Sequence, residues 1–192
     1  RFVGGELEET DQYEIISEDS IYLGSMIADD YQTAEFDIYV QEDVENLLKY
    51  DFLTGLPARS LFSEQLEKSL EIAQKDDKLV GVLFIDLDNF KKVNDSLGHA
   101  MGDRLLANVA QKLSNFFAEN DFLARLSGDE FGAIVNDCND ITEISNLLEQ
   151  LISKFSRPFN ITSAEGKENE IFMTLSIGAA VYPEDSKDLE QL

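Results

Sequence analysis

Apolar side chains recur at helical spacing in three long stretches of the chain. The first runs from Ala58 to about Lys75, the second from Met101 to Phe117, and the third covers the sequence ITEISNLLEQLISKF, residues 141–155. In each stretch the apolar residues lie three or four positions apart, which places them on one face of an α-helix. The pattern also predicts a shorter helix from Asn89 to about Ser96.

Strand patterns alternate with these helices. KLVGVLFID, residues 78–86, is continuously apolar, as expected of a central strand that is buried on both faces. The runs FLARL and FGAIV flank residues 127–130 and predict a β-hairpin with a four-residue loop. PFNIT and IFMTLSIGAAVY predict two further strands around the polar turn SAEGKENE. From residue 79 the predicted order is β-α-α-β-β-α-β-β, which favours a mostly antiparallel sheet with helices on one face.

The chain divides into three predicted segments. Residues 1–43 are acidic with short alternating patches, which predict two to four strands. We expect them to be either the end of an upstream, PAS-like sensor domain or an edge element docked on the main domain. Residues 44–56 predict a linker helix followed by a turn, because Pro57 interrupts the helical pattern. Residues 57–192 then form the main domain, with 43% apolar residues in the whole chain to build a core.

The net charge of the chain argues against some classes of binding partner. The chain carries 39 acidic residues against 15 lysines and arginines, a net charge of −24. Such a surface argues against binding to nucleic acid or to an anionic membrane. No apolar run approaches the roughly 18 residues of a membrane span, and no signal peptide is visible. We therefore expect a cytoplasmic domain without direct membrane contact, and leave open whether the parent protein is anchored to the inner membrane. The single cysteine, Cys138, predicts a small buried side chain rather than a catalytic thiol.

Acidic residues stand where strands end. Asp86 closes the buried strand, and Asp129 and Glu130 lie at the predicted hairpin tip. Carboxylates brought together repel one another, and a hard divalent cation such as Mg²⁺ or Mn²⁺ relieves that repulsion. The helix that begins near Asn89 would offer free backbone N–H groups to phosphate. A metal-binding acid pair beside a phosphate-binding helix end is the apparatus of phosphoryl or nucleotidyl transfer.

Each of these residues also has a plain structural interpretation. Asp86 and Asp88 are candidate helix caps, and Asp129 and Glu130 are candidate solvated turn acids. The only histidine, His99, is more often a structural residue than a ligand when taken alone. It is the joint occurrence of these residues at these spacings that favours the functional interpretation.

Four blocks of sequence resemble the GGDEF-domain diguanylate cyclases in order and spacing: LTGLPARSLF, FIDLDNFKKVNDSLGHAMGD, ARLSGDEF and LSIGAAVYPED. The resemblance covers roughly residues 50–192. It implies an α/β (α+β) fold with a palm-like, ferredoxin-related, mostly antiparallel sheet flanked by helices, as in nucleotidyl cyclases. It also implies the condensation of two GTP molecules into cyclic di-GMP with loss of two pyrophosphates. Catalysis would be metal-dependent and would take place between the two protomers of a homodimer, each of which holds one GTP.

The resemblance assigns roles to individual positions. Asp86, with the backbone carbonyl of Leu87, and the acids Asp129 and Glu130 resemble the metal ligands, and Asp129 also resembles the group that helps to deprotonate the 3′-hydroxyl. Other positions match the family's substrate-binding residues. Lys91 and the backbone amides of Asn89 and Phe90 correspond to the phosphate contacts, and Asn94 and Asp103 correspond to the residues that bind guanine. His99 corresponds to a contact with the ribose and base region, and Gly128 lies in the signature turn. The block Ser176–Gly178 matches a structural strand without a catalytic role.

Three departures from the family pattern bear on activity. Ser127 stands where the signature has its first glycine, which is expected to reduce or retune activity. At the product-inhibition motif Arg-x-x-Asp, Asp121 is present but Ala118 replaces the arginine, so the inhibitory site is expected to be degenerate. The family's last helix, with its Lys and Arg contacts to phosphate, would begin near the end of this sequence, so the segment alone is expected to be less active than its parent.

Two other functions remain open at this point. The second hypothesis is a GTP-binding regulatory domain without cyclase activity, because similar sequences are found just before EAL phosphodiesterase domains in composite proteins. The third is a cyclase for a different nucleotide, against which the guanine-reading positions Asn94 and Asp103 argue.

Overall fold

In the computed structural model, the described residues are 49–163 and 166–187, and they fall within one compact unit, Leu47–Leu192. The elements are α1 Arg59–Asp76, β1 Leu79–Leu87, α2 Phe90–Leu97, α3 His99–Ser114, β2 Phe122–Ser127, β3 Glu130–Cys138, α4 Ile141–Phe155, β4 Phe159–Thr162, β5 Glu168–Ile171 and β6 Leu175–Tyr182. The helices and the first three strands confirm the predicted order. The strands expected within residues 1–43 and the linker helix expected from residue 44 lie outside the described residues.

The main sheet has four antiparallel strands in the order β2-β3-β1-β6. The apolar strand β1 lies at the centre, between β3 and β6, as its continuous hydrophobic sequence predicts. β4 and β5 form a separate two-stranded hairpin. The mixed α/β fold with an antiparallel sheet flanked by helices is thus confirmed.

Helices cover both faces of the sheet, which corrects the expectation that they lie on one. Side chains alternate along a strand, so Val80 and Val82 of β1 pack with Phe62 and Leu66 of α1 on one face. On the other face, the alternate residues of β1 pack against α3 and α4 through Leu83, Ile85, Leu87, Leu105, Val109, Leu113, Leu151 and Phe155. The one-face prediction was wrong because helical periodicity identifies an apolar face but not the side of the sheet that it covers.

Two details of the strands also differ from the prediction. The hairpin loop contains two residues, Gly128 and Asp129, because β2 continues to Ser127 and β3 begins at Glu130. A register shift between Arg125 and Ser127 accommodates this short loop. The stretch expected to be one strand from residue 171 is split in two, since β5 occupies Glu168–Ile171 within the predicted polar turn.

Cys138 is buried, and burial, with nearby acids, raises the pKa of its thiol to about 11. The thiol is therefore protonated at neutral pH, which agrees with its predicted structural role. No helix within residues 49–163 and 166–187 is long and apolar enough to cross a membrane.

Candidate active site at the ends of β1 and the β2–β3 hairpin

The sheet register brings the predicted acids to one edge. Asp86, near the end of β1, lies opposite Glu130 on β3 and opposite Ser176 on β6. Asp129 occupies the two-residue turn that joins β2 to β3. These three acids, Asp86, Asp129 and Glu130, are called the acid rim below. The sequence separates Asp86 from the other two by more than forty positions, and only the pairing of β1 with β3 unites them.

The rim is electrostatically strained. Asp86 is exposed, but partial desolvation of its carboxyl group raises its pKa, and the negative charges of Asp129, Glu130 and Asp88 raise it further. A carboxyl group whose pKa is raised by like charges gains from any cation that binds among them. The rim is therefore suited to binding a positive ion.

Glu130 already has two partners in the absence of a cation. The hydroxyl of Ser127 donates to its Oε2 over 2.5 Å, across the hairpin turn. Nη2 of Arg59, from the first turn of α1, lies 3.7 Å from the same oxygen. Arg59 did not figure among the sequence candidates, because nothing in its local sequence points to β3.

The acid rim is an open set of ligands rather than a closed cage. In the part of the chain that the structure describes, no three His, Cys, Asp or Glu side chains converge closely enough to enclose a metal ion. Mg²⁺ is ordinarily held by one or two carboxylates, with substrate phosphates and water filling the other positions. The hard oxygens of the rim, with the backbone carbonyl of Leu87 at the end of β1, fit that mode of binding.

Asp88 is neither a helix cap nor a member of the rim. Its carboxylate accepts hydrogen bonds from the hydroxyls of Thr174 (2.5 Å) and Ser176 (2.6 Å), which tie the end of β1 to the start of β6. These two bonds lower the pKa of Asp88. The N-cap of α2 is Asn89, in the left-handed conformation at φ 61°, and its side chain makes no capping hydrogen bond.

The N-terminus of α2 follows the rim directly. Without a side-chain cap at Asn89, the first-turn N–H groups stay available to an anion. Lys91, on the first turn, is exposed. An open cavity of about 530 Å³ also borders α2, but it is lined by Asn89 and Lys92 and not by Lys91. Of the predicted phosphate positions, Asn89 therefore borders this cavity and Lys91 does not.

Helices α2 and α3 approach each other closely beside the predicted base-reading residue Asn94. Gly98, at φ 84°, separates α2 from α3 and folds them against each other. A Cβ added to Gly102 would lie 1.8 Å from Oδ1 of Asn94, so only glycine leaves room for that amide. Asp103 follows Gly102 and is exposed, and His99 is exposed at the first residue of α3. Asn94 therefore lies at the contact of the two helices, and Asp103 is one residue beyond Gly102 on α3.

Arg125 is a residue of the site that its sequence did not single out. Its Nη1 donates to both carboxylate oxygens of Asp51, over 2.8 and 2.9 Å, and its Nε and Nη2 donate to the backbone carbonyl of Gly128, over 3.0 and 2.7 Å. Burial raises the pKa of Asp51, but bonds from Thr54 and Arg125 outweigh burial and leave that pKa lowered. Arg125 thereby connects the turn before α1 to the hairpin that carries Asp129 and Glu130.

We expect Arg125→Ala to lower the free energy of unfolding by about 2 kcal/mol, or about 4–8 °C in Tm, because it leaves a half-buried carboxylate without its cation. Arg59→Ala is the matched control, since Arg59 is 61% exposed and its ion pair is long, so its loss costs little. Thermal unfolding followed by circular dichroism compares the two variants. Equal Tm values for the two variants would contradict the assigned role of Arg125.

Comparison with known proteins agrees with the architecture. The profile of the family described as "Diguanylate cyclase, GGDEF domain" matches residues 48–192. The bifunctional diguanylate cyclase/cyclic di-GMP phosphodiesterase MucR of Pseudomonas aeruginosa is 38% identical over 146 residues, which are 76% of this chain and 20% of MucR. Diguanylate cyclase TpbB of the same species is 35% identical over 135 residues, which are 70% of this chain and 30% of TpbB. The chain spans less than a third of the length of either relative.

Solved structures show the same fold. The GGDEF domain of TpbB (YfiN) from Pseudomonas aeruginosa matches with a TM-score of 0.68 at 35% identity, covering 74% of this chain and 81% of that chain. The coiled coil and GGDEF domain of DgcB from Caulobacter crescentus, solved in complex with c-di-GMP, matches with a TM-score of 0.66 at 27% identity, covering 81% of this chain and 82% of that chain. The chain, from residue 48 onward, therefore belongs to the GGDEF family of diguanylate cyclase domains.

Proposed function

We propose that this protein is a metal-dependent diguanylate cyclase that condenses two GTP molecules into cyclic di-GMP and releases two pyrophosphates. The observation that carries this proposal is the acid rim, where the strand register sets Asp86 opposite Glu130 beside the turn that carries Asp129, and where desolvation and the neighbouring negative charges raise the pKa of Asp86. The rim stands next to the uncapped N-terminus of α2 and to the paired helices that hold Asn94. In this proposal, the sites for a cation, for phosphate and for a base follow one another along the chain, from the end of β1 through α2 to α3.

Each group has a task in this chemistry. Asp86 and Glu130, with the carbonyl of Leu87, would hold Mg²⁺ or Mn²⁺, which neutralises charge that develops on the phosphates during transfer. Asp129, on the hairpin turn, accepts the proton of the attacking 3′-hydroxyl as that oxygen bonds to the α-phosphorus and pyrophosphate leaves. The amides at the start of α2 and the Lys91 ammonium bind the phosphates, while Asn94 and Asp103 hydrogen-bond the guanine edge, with His99 and Gly128 at its border.

Turnover requires a homodimer. Each GTP in the condensation supplies a 3′-hydroxyl to the other and an α-phosphate for attack, so two half-sites must face each other. The rate per protein should consequently rise with protein concentration and level off as the dimer saturates.

Release of pyrophosphate from GTP in the presence of Mg²⁺ or Mn²⁺ tests the proposed activity. We expect release by the wild-type chain and by its full-length parent, with little or none from ATP and none after removal of the metal with EDTA. Release that is equal with GTP and ATP would contradict guanine selection by Asn94 and Asp103.

A second candidate function is a GTP-binding domain that regulates an adjacent EAL phosphodiesterase domain. The serine at position 127 favours it, because the family signature has its first glycine there. Similarity to MucR, which is named as bifunctional, makes such a parent plausible. GTP binding without pyrophosphate release, combined with a GTP-dependent change in phosphodiesterase rate of the full-length parent, would identify this function.

Feedback inhibition by product is expected to be weak. Ala118 replaces the arginine of the inhibitory motif, and both carboxylate oxygens of Asp121 are already engaged, by the backbone N–H of Ala118 (2.9 Å) and that of Asn136 (3.1 Å). We expect isothermal titration with cyclic di-GMP to show no tight binding, because the bidentate arginine contact is missing. Submicromolar binding that is lost in Asp121→Ala would contradict this expectation.

A further inference from the structure

Ser127 occupies a fixed position at the hairpin tip. Arg125 anchors the turn on one side through the carbonyl of Gly128 (2.7 Å from Nη2), and the pairing of Ser127 with Glu130 closes it on the other. Positive φ among the described non-glycine residues is confined to Asp77, Asn89 and Asp137. Ser127 therefore carries a side chain without backbone strain, at a position that the family signature fills with glycine.

The hydroxyl of Ser127 makes its hydrogen bond to one oxygen of Glu130. It donates to Oε2 of Glu130 over 2.5 Å, and the guanidinium of Arg59 lies on the same oxygen at 3.7 Å. Among the hydrogen bonds of residues 49–163 and 166–187, none reaches Oε1 of Glu130. One carboxylate oxygen thus accepts a hydrogen bond from the protein and the other accepts none.

We propose that Ser127 is a positioning residue for the cation site: its hydroxyl holds Oε2 of Glu130 and so presents Oε1 as a preoriented ligand for a divalent cation. This inference rests on the proposed metal-dependent function. Glycine at position 127 has no hydroxyl with which to hold the carboxylate, so the bond is a property of this chain and not of the signature.

Preorientation strengthens binding for a physical reason. A glutamate at a strand end loses rotamer freedom when it binds a cation, and a side chain that is already held has less to lose. Hydrogen-bond partners of metal ligands ordinarily contribute 10- to 100-fold in metal affinity. Because Glu130 is 50% exposed, solvent weakens the effect here, and we expect a contribution of about 3- to 10-fold.

Binding of Mn²⁺ itself, measured by the electron paramagnetic resonance signal of the free ion, tests this without any need for turnover. The measurement uses the whole chain with no nucleotide present and repeats it with a non-hydrolysable GTP analogue. Ser127→Ala and Ser127→Gly should each weaken Mn²⁺ binding by about 3- to 10-fold, whereas Ser127→Thr, which keeps the hydroxyl, should stay within about twofold of wild type. Thermal unfolding should show the same Tm for all three, since Ser127 is exposed.

A double-mutant cycle separates a positioning role from a general effect on the hairpin. In a Glu130→Gln background, Ser127→Ala should cause no further loss of Mn²⁺ affinity, because the carboxylate on which the hydroxyl acts is gone. Unchanged or tighter Mn²⁺ binding by Ser127→Ala, or an equal loss in both backgrounds, would overturn the inference. If wild type nevertheless converts GTP, the proposed function survives that result. Failure of wild type to bind Mn²⁺ would overturn the inference together with the metal-dependent function.

Discussion

Asp86→Asn should abolish conversion of GTP, with a loss of at least about 1,000-fold, and at the same time raise the Tm of the metal-free protein by about 1–3 °C. The two effects have one cause. Asp86 is a carboxylate whose pKa is raised by partial desolvation and by the charges of Asp129, Glu130 and Asp88, so its ionised form is unfavourable until a cation binds. Asparagine removes the repulsion and the ligand together, as expected where stability is given up for function.

The raised pKa of Asp86 predicts how GTP conversion depends on pH. Because the folded-state pKa of Asp86 is raised, this carboxyl group is protonated at a higher pH than an ordinary aspartate, and cation binding weakens as pH falls through that pKa. The acid limb of GTP conversion should therefore begin above the ordinary range for a carboxyl group. This acid limb is measured as the rate of GTP conversion against pH at saturating GTP, with the metal concentration varied at each pH.

Asp88→Asn is the matched control, two residues away on the same strand end. The hydroxyls of Ser176 and Thr174 lower the pKa of Asp88, so its ionised form stabilises the fold at neutral pH and that stability is lost as pH falls. Asp88→Asn should lower Tm where Asp86→Asn raises it. The account of the acid rim is wrong if both variants shift Tm in the same direction.

Gly102→Ala should weaken GTP binding by about 10- to 100-fold while leaving the fold intact, the range that corresponds to one lost set of base hydrogen bonds. The added Cβ would lie 1.8 Å from Oδ1 of Asn94 and 3.3 Å from Cζ of Phe90, so the amide must leave its place at the contact of α2 with α3. Alanine is the better helix former, so stability should not fall for lack of helix propensity. Calorimetric titration with a non-hydrolysable GTP analogue measures the affinity.

Gly178→Ala is the control for this substitution. A Cβ at Gly178, in β6, meets nothing within 4 Å, so binding of the GTP analogue should be unchanged. The ratio of GTP to ATP affinity should fall in Gly102→Ala and hold in Gly178→Ala. Full GTP affinity in Gly102→Ala would show that Asn94 does not read the base.

The sequence predicted correctly those features of the fold that depend on residues close together in the chain. The helix over residues 141–155 was predicted to the residue, since its apolar positions recur at helical spacing. In the structure, Asp140 also caps its first turn by accepting hydrogen bonds from the backbone N–H groups of Thr142 and Glu143. The central position of β1 followed from its continuous apolar sequence. The predicted acids Asp86, Asp129 and Glu130 do share one edge, because adjacent antiparallel strands place them there.

Features that depend on distant partners were not predictable in this way. The pairing of Asp51 with Arg125 joins residues more than seventy positions apart, and nothing in either local sequence names the other. The hydrogen bonds of Asp88 to Thr174 and Ser176 form only because β6 lies beside β1. The local sequence does not show that pairing, so the preference of aspartate for helix N-caps led to the prediction that Asp88 caps the next helix. The strand β5 was missed because Glu168–Ile171 has a polar sequence, and its pairing with β4 overrides that preference.

The most direct test of the central claim is to identify the product that the protein makes from GTP. The full-length parent and its Asp129→Ala variant are incubated separately with GTP and Mn²⁺. The nucleotides in each reaction are then separated and identified by mass spectrometry. The account predicts cyclic di-GMP from the wild type at a level at least about 100-fold above that of the variant, the usual contribution of a positioned general base. Intact GTP with both proteins, or equal amounts of product from both, would contradict it.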